Sequence, residues 1–224
     1  DNPHLPPEYI QTLIDSYPDE LKKRYVDGRW DAFEGQILKE FDRDVHVVKP
    51  FDIPKGWERI VSLDHGMVAP TAVLWCAIDF DGNIYVYDEY YSPGVVSEHA
   101  KAIHEKTGEQ EISMWVIDPS TRNKTREKKD GSGNAFPWSN LEEYEDHGLY
   151  FVPANNEKLA GINRVREFLT INPKRLNPRT GQRGSPKLFI FQSCVNLLWE
   201  IPQYQWRKYA KMSQRNPRED ARDF

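Results

Sequence analysis

Two aspartates sit where a sequence can most readily build a polar site. Asp64 closes the apolar run Glu58–Leu63 (ERIVSL) and is followed by His65-Gly66; Asp118 closes Ser113–Ile117 (SMWVI) and is followed by Pro119. In an open α/β sheet, ligand-binding side chains collect where strands end and the chain turns. If the two runs are neighbouring parallel strands, both carboxylates project at one edge. Two carboxylates that close repel each other. A divalent cation removes the cost, and Mg²⁺ takes carboxylate oxygens together with waters. A second reading stays open, because Asp-Pro and Asp-x-Gly are also common turn and helix-cap signals. Glu89, beside Asp88 near the end of Ile84–Tyr91 (IYVYDEYY), is a third acid, read first as an exposed acid at a strand end.

Other chemistries find no footing. The sequence has no G-x-x-x-x-G-K-[ST] phosphate loop, no G-x-S-x-G nucleophile turn and no H-E-x-x-H. The six histidines are scattered, and His99 and His104 are five apart, off one helical face. Two cysteines, Cys76 and Cys194, exclude a disulfide scaffold; both lie in apolar runs and read as buried free thiols.

Elements that would position the acids follow from the pattern. Glu58–Leu63, Thr71–Phe80 and Ile84–Tyr91 are β-branched and aromatic, and Asp81-Gly82-Asn83 is a tight-turn signal between the last two, so three strands form a meander. Helices are expected at Glu8–Tyr25, Val95–Lys106, Leu141–His147, Lys158–Leu169 and Cys194–Ile201. Further strands are expected at Ser113–Ile117, Leu149–Val152 and Lys187–Phe191. Two basic segments read as loops: Arg122–Gly133, and Pro173–Pro186, the latter a loop or a long hairpin tip. A boundary is expected at Asp52–Gly56, dividing a leader (1–55) from the main domain (56–224).

Charge is uneven along the 224 residues. Residues 158–224 carry fourteen basic and five acidic side chains, a net of +9, and the preceding 157 residues stand at −14. A basic block of this kind suits a polyanion. Candidate phosphate contacts are Arg122, Lys124 and Lys128 after Asp118, and Lys174, Arg175, Arg179, Arg183 and Lys187 in or beside the second basic loop. Both loops are placed as flanks of the acidic site. Tyr204 and Trp206 could stack on bases, although core packing is their ordinary role. No run approaches a membrane span and no signal-peptide pattern opens the sequence, so no membrane partner is expected.

SLDHG, the hairpin TAVLWCAIDFDGNIYVYDEYY and WVIDPS, in that order, resemble the ribonuclease H-like nuclease domain of phage terminase large subunits. DNPHLPPEYI and RYVDGRWDAFEGQILKEFDRDVHVV resemble the segment joining the packaging ATPase to that nuclease, and FIFQSCVNLLWEIPQYQW its later part. The resemblance implies an α/β fold: a ribonuclease H-like mixed sheet opening with a three-strand antiparallel meander, with flanking helices and an N-terminal helical leader. It implies an endonuclease that cuts concatemeric viral DNA during packaging in the host cytoplasm, without the ATPase motor. Two Mg²⁺ or Mn²⁺ ions would serve it, one activating water and one stabilising the leaving oxygen. Asp64 matches the family's first acid and Asp118 its second, as catalytic and metal-binding residues. The family's third acid opens a helix with an Asp-His-x-x-Asp-Ala-like run, and PREDARDF has none. Asp220 and Asp223 lie near the place, and the expectation is that the third acid falls beyond Phe224. Implied partners are double-stranded DNA, the terminase ATPase domain, the small terminase subunit and the portal. A Holliday-junction resolvase or ribonuclease H-type nuclease, and a non-catalytic DNA-clamping or portal-docking module, are the alternatives.

Overall fold

The computed structural model describes residues 35–66, 68–206 and 221–222. The chain divides into two units, Asp42–Leu198 and a second made of Asp1–Phe41 with Trp199–Phe224.

The first unit is built on a seven-stranded sheet. Its strands are β1 (Val47–Val48), β2 (Glu58–Asp64), β3 (Thr71–Ile78), β4 (Ile84–Ser92), β5 (Met114–Ile117), β8 (Val152–Pro153) and β11 (Leu188–Phe191), in the order β1-β11-β4-β3-β2-β5-β8. β2, β3 and β4 are the expected antiparallel meander; β5 adds parallel to β2, β8 to β5, β11 to β4 and β1 to β11. The ribonuclease H-like mixed sheet expected from the sequence is thus what the chain forms. A one-turn helix α1 (Arg43–His46) leads into β1, its start capped by the Asp42 side chain.

Alternation sets the faces. Along β2, Arg59, Val61 and Leu63 are buried, whereas Ile60, Ser62 and Asp64 look to the other face. Along β3, Thr71, Val73, Trp75 and Ala77 are buried in strict alternation. A helix α2 (Val96–Thr107) and a shorter α3 (Asn140–Asp146) cover that face. Val61, Leu63, Val73 and Trp75 meet Val96, Ala100, Ile103, Leu141 and Tyr144 there. Trp75 is wholly buried and donates its indole N–H to Thr107 Oγ1 at 3.0 Å, so burial leaves no polar atom of it unsatisfied. At the β3–β4 turn, Gly82 takes φ +73°, and the Asp79 carboxylate accepts the backbone N–H groups of Asp81 and Asn83. Between Trp75 and Cys76 the β3–β4 register shifts at a β-bulge.

The Arg122–Gly133 segment differs from its expectation. Pro119–Arg122 is a 3₁₀ turn, and β6 (Arg126–Lys129) and β7 (Ala135–Trp138) form an antiparallel hairpin. The turn is closed by Asp130, whose carboxylate accepts the N–H groups of Ser132 and Asn134. The polar and glycine residues between the strands hid a turn inside what composition alone reads as a loop. The second basic segment is a hairpin, as one of its two readings had it: β9 (Asn172–Leu176) pairs with β10 (Arg183–Ser185). Between the hairpins lies α4 (Lys158–Leu169), and β11 leads into α5 (Val195–Glu200). Both cysteines are free. Cys194 is fully buried and Cys76 half-buried, and burial raises each thiol to about 12.

In the second unit, Ile37 N–H donates to the Tyr204 carbonyl and Trp206 N–H to that of Gly35, while β12 (Gln205–Trp206) pairs antiparallel with β13 (Ala221–Arg222). Tyr204 and Trp206 are half-buried in it. The expected helix Glu8–Tyr25, and with it the helical leader, lies outside the described residues, as do Asp220 and Asp223. Among the described residues, no helix is long and apolar enough to cross a membrane.

Candidate active site

Parallel pairing of β2 with β5 brings the two acids together. Leu63 is the register partner of Ile117, and Asp118 N–H continues the ladder onto the Leu63 carbonyl at 3.2 Å. Asp64 and Asp118 are therefore the next pair along, on strands about 4.8 Å apart. Leu63 and Ile117 both point into the α2–α3 core, so alternation turns both aspartates to the opposite face. Asp64 is exposed and Asp118 half-buried.

Asp118 also caps the turn that follows it. Its Oδ1 accepts Ser120 N–H at 2.7 Å, and its carbonyl accepts the Thr121 hydroxyl at 2.6 Å. The cap and the site are compatible, since Oδ1 fixes the carboxylate's orientation and Oδ2 is not used by the turn.

Glu89 has another task. It shares the face of Asp64, as Leu74 pairs with Glu89 on one side and with Ser62 on the other. It lies two strands away and two residues back, roughly 12 Å between Cα atoms. One carboxylate oxygen accepts the N–H and side-chain amide of Asn196, both at 2.8 Å, and the other accepts Leu197 N–H at 2.9 Å. Glu89 thus closes the start of α5, where a negative charge is favoured. It is a cap, more firmly employed than a bare exposed acid.

Behind Asp64, on the core side, stands a cluster that the sequence reading passed over. His65 Nδ1 lies 3.1 Å from the Tyr144 hydroxyl and 3.4 Å from Thr71 Oγ1. The His65 ring stands edge-on to Tyr144 and to His99, with centroids 5.8 and 6.0 Å away. His99 is fully buried, with Nδ1 2.9 Å from the Tyr90 hydroxyl. Burial lowers the pKa of both imidazoles; the positive charge of Arg126 adds to the effect at His65. The signal was present in ERIVSLDH, where period-two alternation sends His65 to the side of Val61 and Leu63.

The two basic hairpins part company. The first leaves Asp118 directly and is held to α3 by three ion pairs: Lys124–Glu142 at 3.2 Å, Arg126–Glu143 and Lys128–Asp146. Ser139 and Glu142 form a capping box that fixes the start of α3 beneath them. Arg122 is exposed in the turn itself. The second hairpin is elsewhere. Arg175 donates to Asn83 Oδ1 at the β3–β4 turn, and the Arg179 guanidinium lies 4.1 Å from the Phe51 ring. That turn adjoins the Ile78–Glu58 pair, six residues of strand from Asp64, or roughly 20 Å. Lys174 and Arg183 are exposed on this hairpin, and Lys187 is half-buried beside Phe168. Flanking of the acids by both basic segments is therefore not what the topology gives: β11 runs parallel to β4, so the segment before it enters at the far end.

No family model matches the chain. The large terminase subunit of Escherichia phage T5 is 22% identical over 232 residues, a match covering 99% of this chain and 46% of that protein. The chain thus spans about half the length of the curated relative it matches. Among solved structures, the large terminase of a thermophilic bacteriophage superposes with a TM-score of 0.55 at 22% identity, over 92% of this chain and 46% of that one. The P22 large terminase nuclease domain gives 0.55 at 16% identity, over 77% and 80%. The large terminase nuclease of thermophilic phage G20c gives 0.51 at 10%, over 79% and 85%. The chain has a terminase nuclease fold. The resemblance to phage terminase large subunits is borne out: the sequence match and these superposed structures are all large terminases.

Within this terminase-type fold, Asp64 and Asp118 offer a two-carboxylate donor set. Among the described residues no group of three or more His, Cys, Asp or Glu stands ready to hold a metal ion. Two oxygen-donor residues suit one Mg²⁺ or Mn²⁺ that keeps several waters and takes substrate phosphate oxygens. They do not by themselves form a two-ion cage.

Proposed function

We propose that this chain is a metal-dependent DNA endonuclease acting in viral genome packaging, the nuclease part of a terminase large subunit. The observation that carries the reading is the juxtaposition of Asp64 and Asp118 at the ends of adjacent parallel strands, on one face of a terminase-type sheet. Asp64 and Asp118 would hold a divalent cation, which supplies water activation and charge neutralisation at a scissile phosphate. A second ion would need a third acid. Ser120 N–H orients the Asp118 carboxylate.

Arg122, Lys124 and Lys128 would hold phosphates beside the cut, giving affinity with little sequence preference. Lys124 and Lys128 carry carboxylate partners from α3, so DNA binds them by exchanging those carboxylates for phosphates. Lys174, Arg175, Arg179, Arg183 and Lys187 would meet the duplex farther along. Roughly 20 Å along the sheet corresponds to about six base pairs. Residues 1–55 would serve as the leader toward an ATPase domain. The small terminase subunit, the portal and the host cytoplasm complete the proposed setting.

Cleavage of supercoiled plasmid tests the proposal. With Mn²⁺ or Mg²⁺ the chain is expected to nick or linearise the plasmid, and EDTA to stop it. Asp64→Asn and Asp118→Asn are each expected to abolish cutting while the fold is kept. Wild-type rates in either variant would sink the assignment. DNA binding with neither cleavage nor Mn²⁺ binding would make the chain a clamping or docking module.

A further inference from the structure

Asp64 is the last residue of β2, and its pairing with Ala72 is the last of the β2–β3 ladder on that side. Where a strand ends, the direction of a carboxylate depends on how firmly the following backbone is held.

Here the following residue is fixed. Alternation places His65 on the side of Val61 and Leu63, opposite to Asp64. There its Nδ1 meets the Tyr144 hydroxyl at 3.1 Å and Thr71 Oγ1 at 3.4 Å. Both partners are themselves wholly buried. Thr71 Oγ1 also accepts Gly66 N–H at 3.3 Å, tying the next residue to the same point. Gly66 itself has no room for a side chain, as a Cβ there would lie 2.6 Å from the Ala69 carbonyl carbon and the Pro70 oxygen. The turn is therefore closed tightly upon itself and pinned on its inner side by two hydroxyls.

We propose that His65, Tyr144 and Thr71 are positioning residues that hold Asp64 beside Asp118. The proposal rests on the nuclease reading and assigns the orientation of its first acid. None of the three touches the reacting atoms; each acts through Asp64. Tyr144 is the residue that links the parts. It stands on α3, whose Glu142, Glu143 and Asp146 hold the basic hairpin. One short helix thus sets both the acid and the cations placed to receive DNA. Groups hydrogen-bonded directly to a metal ligand govern metal affinity or activity by about 10- to 100-fold. These three act one step farther out, through the backbone after Asp64, so the effect expected is the lower end of that range.

The test measures Mn²⁺ affinity of the chain by titration calorimetry, with plasmid cleavage measured alongside. Tyr144→Phe removes the hydroxyl and keeps the ring in the core; His65→Ala removes the imidazole; His65→Asn keeps a short acceptor. Tyr144→Phe and His65→Ala are expected to weaken Mn²⁺ binding about tenfold and to lower kcat by a similar factor, with KM for DNA unchanged. His65→Asn is expected to recover part of both losses. Cooperative melting of each variant checks that it folds, and His65→Asn carries the test should Tyr144→Phe fail to fold. Wild-type Mn²⁺ binding, with all folded variants within twofold of it, overturns the anchor and leaves the nuclease reading standing. A rise in KM with kcat unchanged also overturns it. No Mn²⁺ binding by the wild-type chain overturns the nuclease reading and the anchor with it.

Discussion

The two hairpins are alike in being basic and glycine-containing and differ in what surrounds them. Arg126–Trp138 follows Asp118, and Lys124, Arg126 and Lys128 alternate along one face onto the carboxylates of α3. Asn172–Ser185 enters at the other end of the sheet, where Arg175 reaches Asn83 and Arg179 covers Phe51. Positive charge marks both segments as candidates for a polyanion, but only strand direction decides which lies beside the acids. Charge is a property of residues, and its usefulness to a site is a property of topology.

Removing the acids at the favoured end should have the most severe consequence. Asp64→Asn and Asp118→Asn should lose cleavage altogether, whereas Glu89→Gln should keep it, in a plasmid assay with Mn²⁺. Glu89→Gln should instead cost about 1–2 kcal/mol in denaturant unfolding, because it weakens charge-assisted bonds to the start of α5. Loss of cleavage in a stably folded Glu89→Gln would place the site nearer β4 than the strand ends indicate.

A smaller effect separates the hairpins themselves. Arg122→Ala with Lys128→Ala should weaken binding to both short and long duplexes. It should also flatten the slope of log affinity against log salt by about 0.9 for each phosphate no longer neutralised. Lys174→Ala with Arg183→Ala should weaken binding only to duplexes that extend past the acids by about six base pairs. Equal losses on the shortest duplex would contradict the roughly 20 Å separation. The carboxylates of α3 give the converse. Glu143→Gln with Asp146→Asn should tighten DNA binding modestly, because exposed pairs of this kind contribute little to stability and compete with phosphate for the same cations.

The mildest consequence is a pH dependence of stability at the core side of the same strand end. Burial holds the His99 pKa below 6.5, so the folded chain resists taking up a proton that the unfolded chain binds. Stability from the neutral ring is therefore complete above about 6.5 and is lost as pH falls below it. Chemical unfolding at about pH 7 and about pH 5 should show the loss, and His99→Gln should reduce it. An unchanged pH dependence in that variant would assign the acid sensitivity elsewhere.

Much of this was legible in the residues. The β-branched and aromatic runs Glu58–Leu63, Thr71–Phe80 and Ile84–Tyr91, with Asp81-Gly82-Asn83 between the last two, point to a meander, because strand preference and turn chemistry act over a few bonds. Asp64 and Asp118 stood out for the same local reason: each polar residue ends an apolar run. The cap role of Glu89 was not legible, as its partners Asn196 and Leu197 lie more than a hundred residues away. The hairpin Arg126–Trp138 was missed because one strand (REKK) is charged on both faces and the other (AFPW) is apolar on both, so neither carries a polar–apolar alternation to read.

Local pattern accounts for the elements, for the face each residue takes along a strand and for the family resemblance. Those follow from short-range sterics and from burial of apolar side chains. Three features came from packing alone. β5 lies parallel to β2, so Asp118 stands next to Asp64. Tyr144 reaches His65 across 79 residues. The second basic hairpin sits at the far end of the sheet from the acids. Strand order and direction are settled among elements distant in sequence, where each strand takes the hydrogen-bonding neighbour that lets their shared apolar face pack under the same helices, and no run of a few residues encodes that choice.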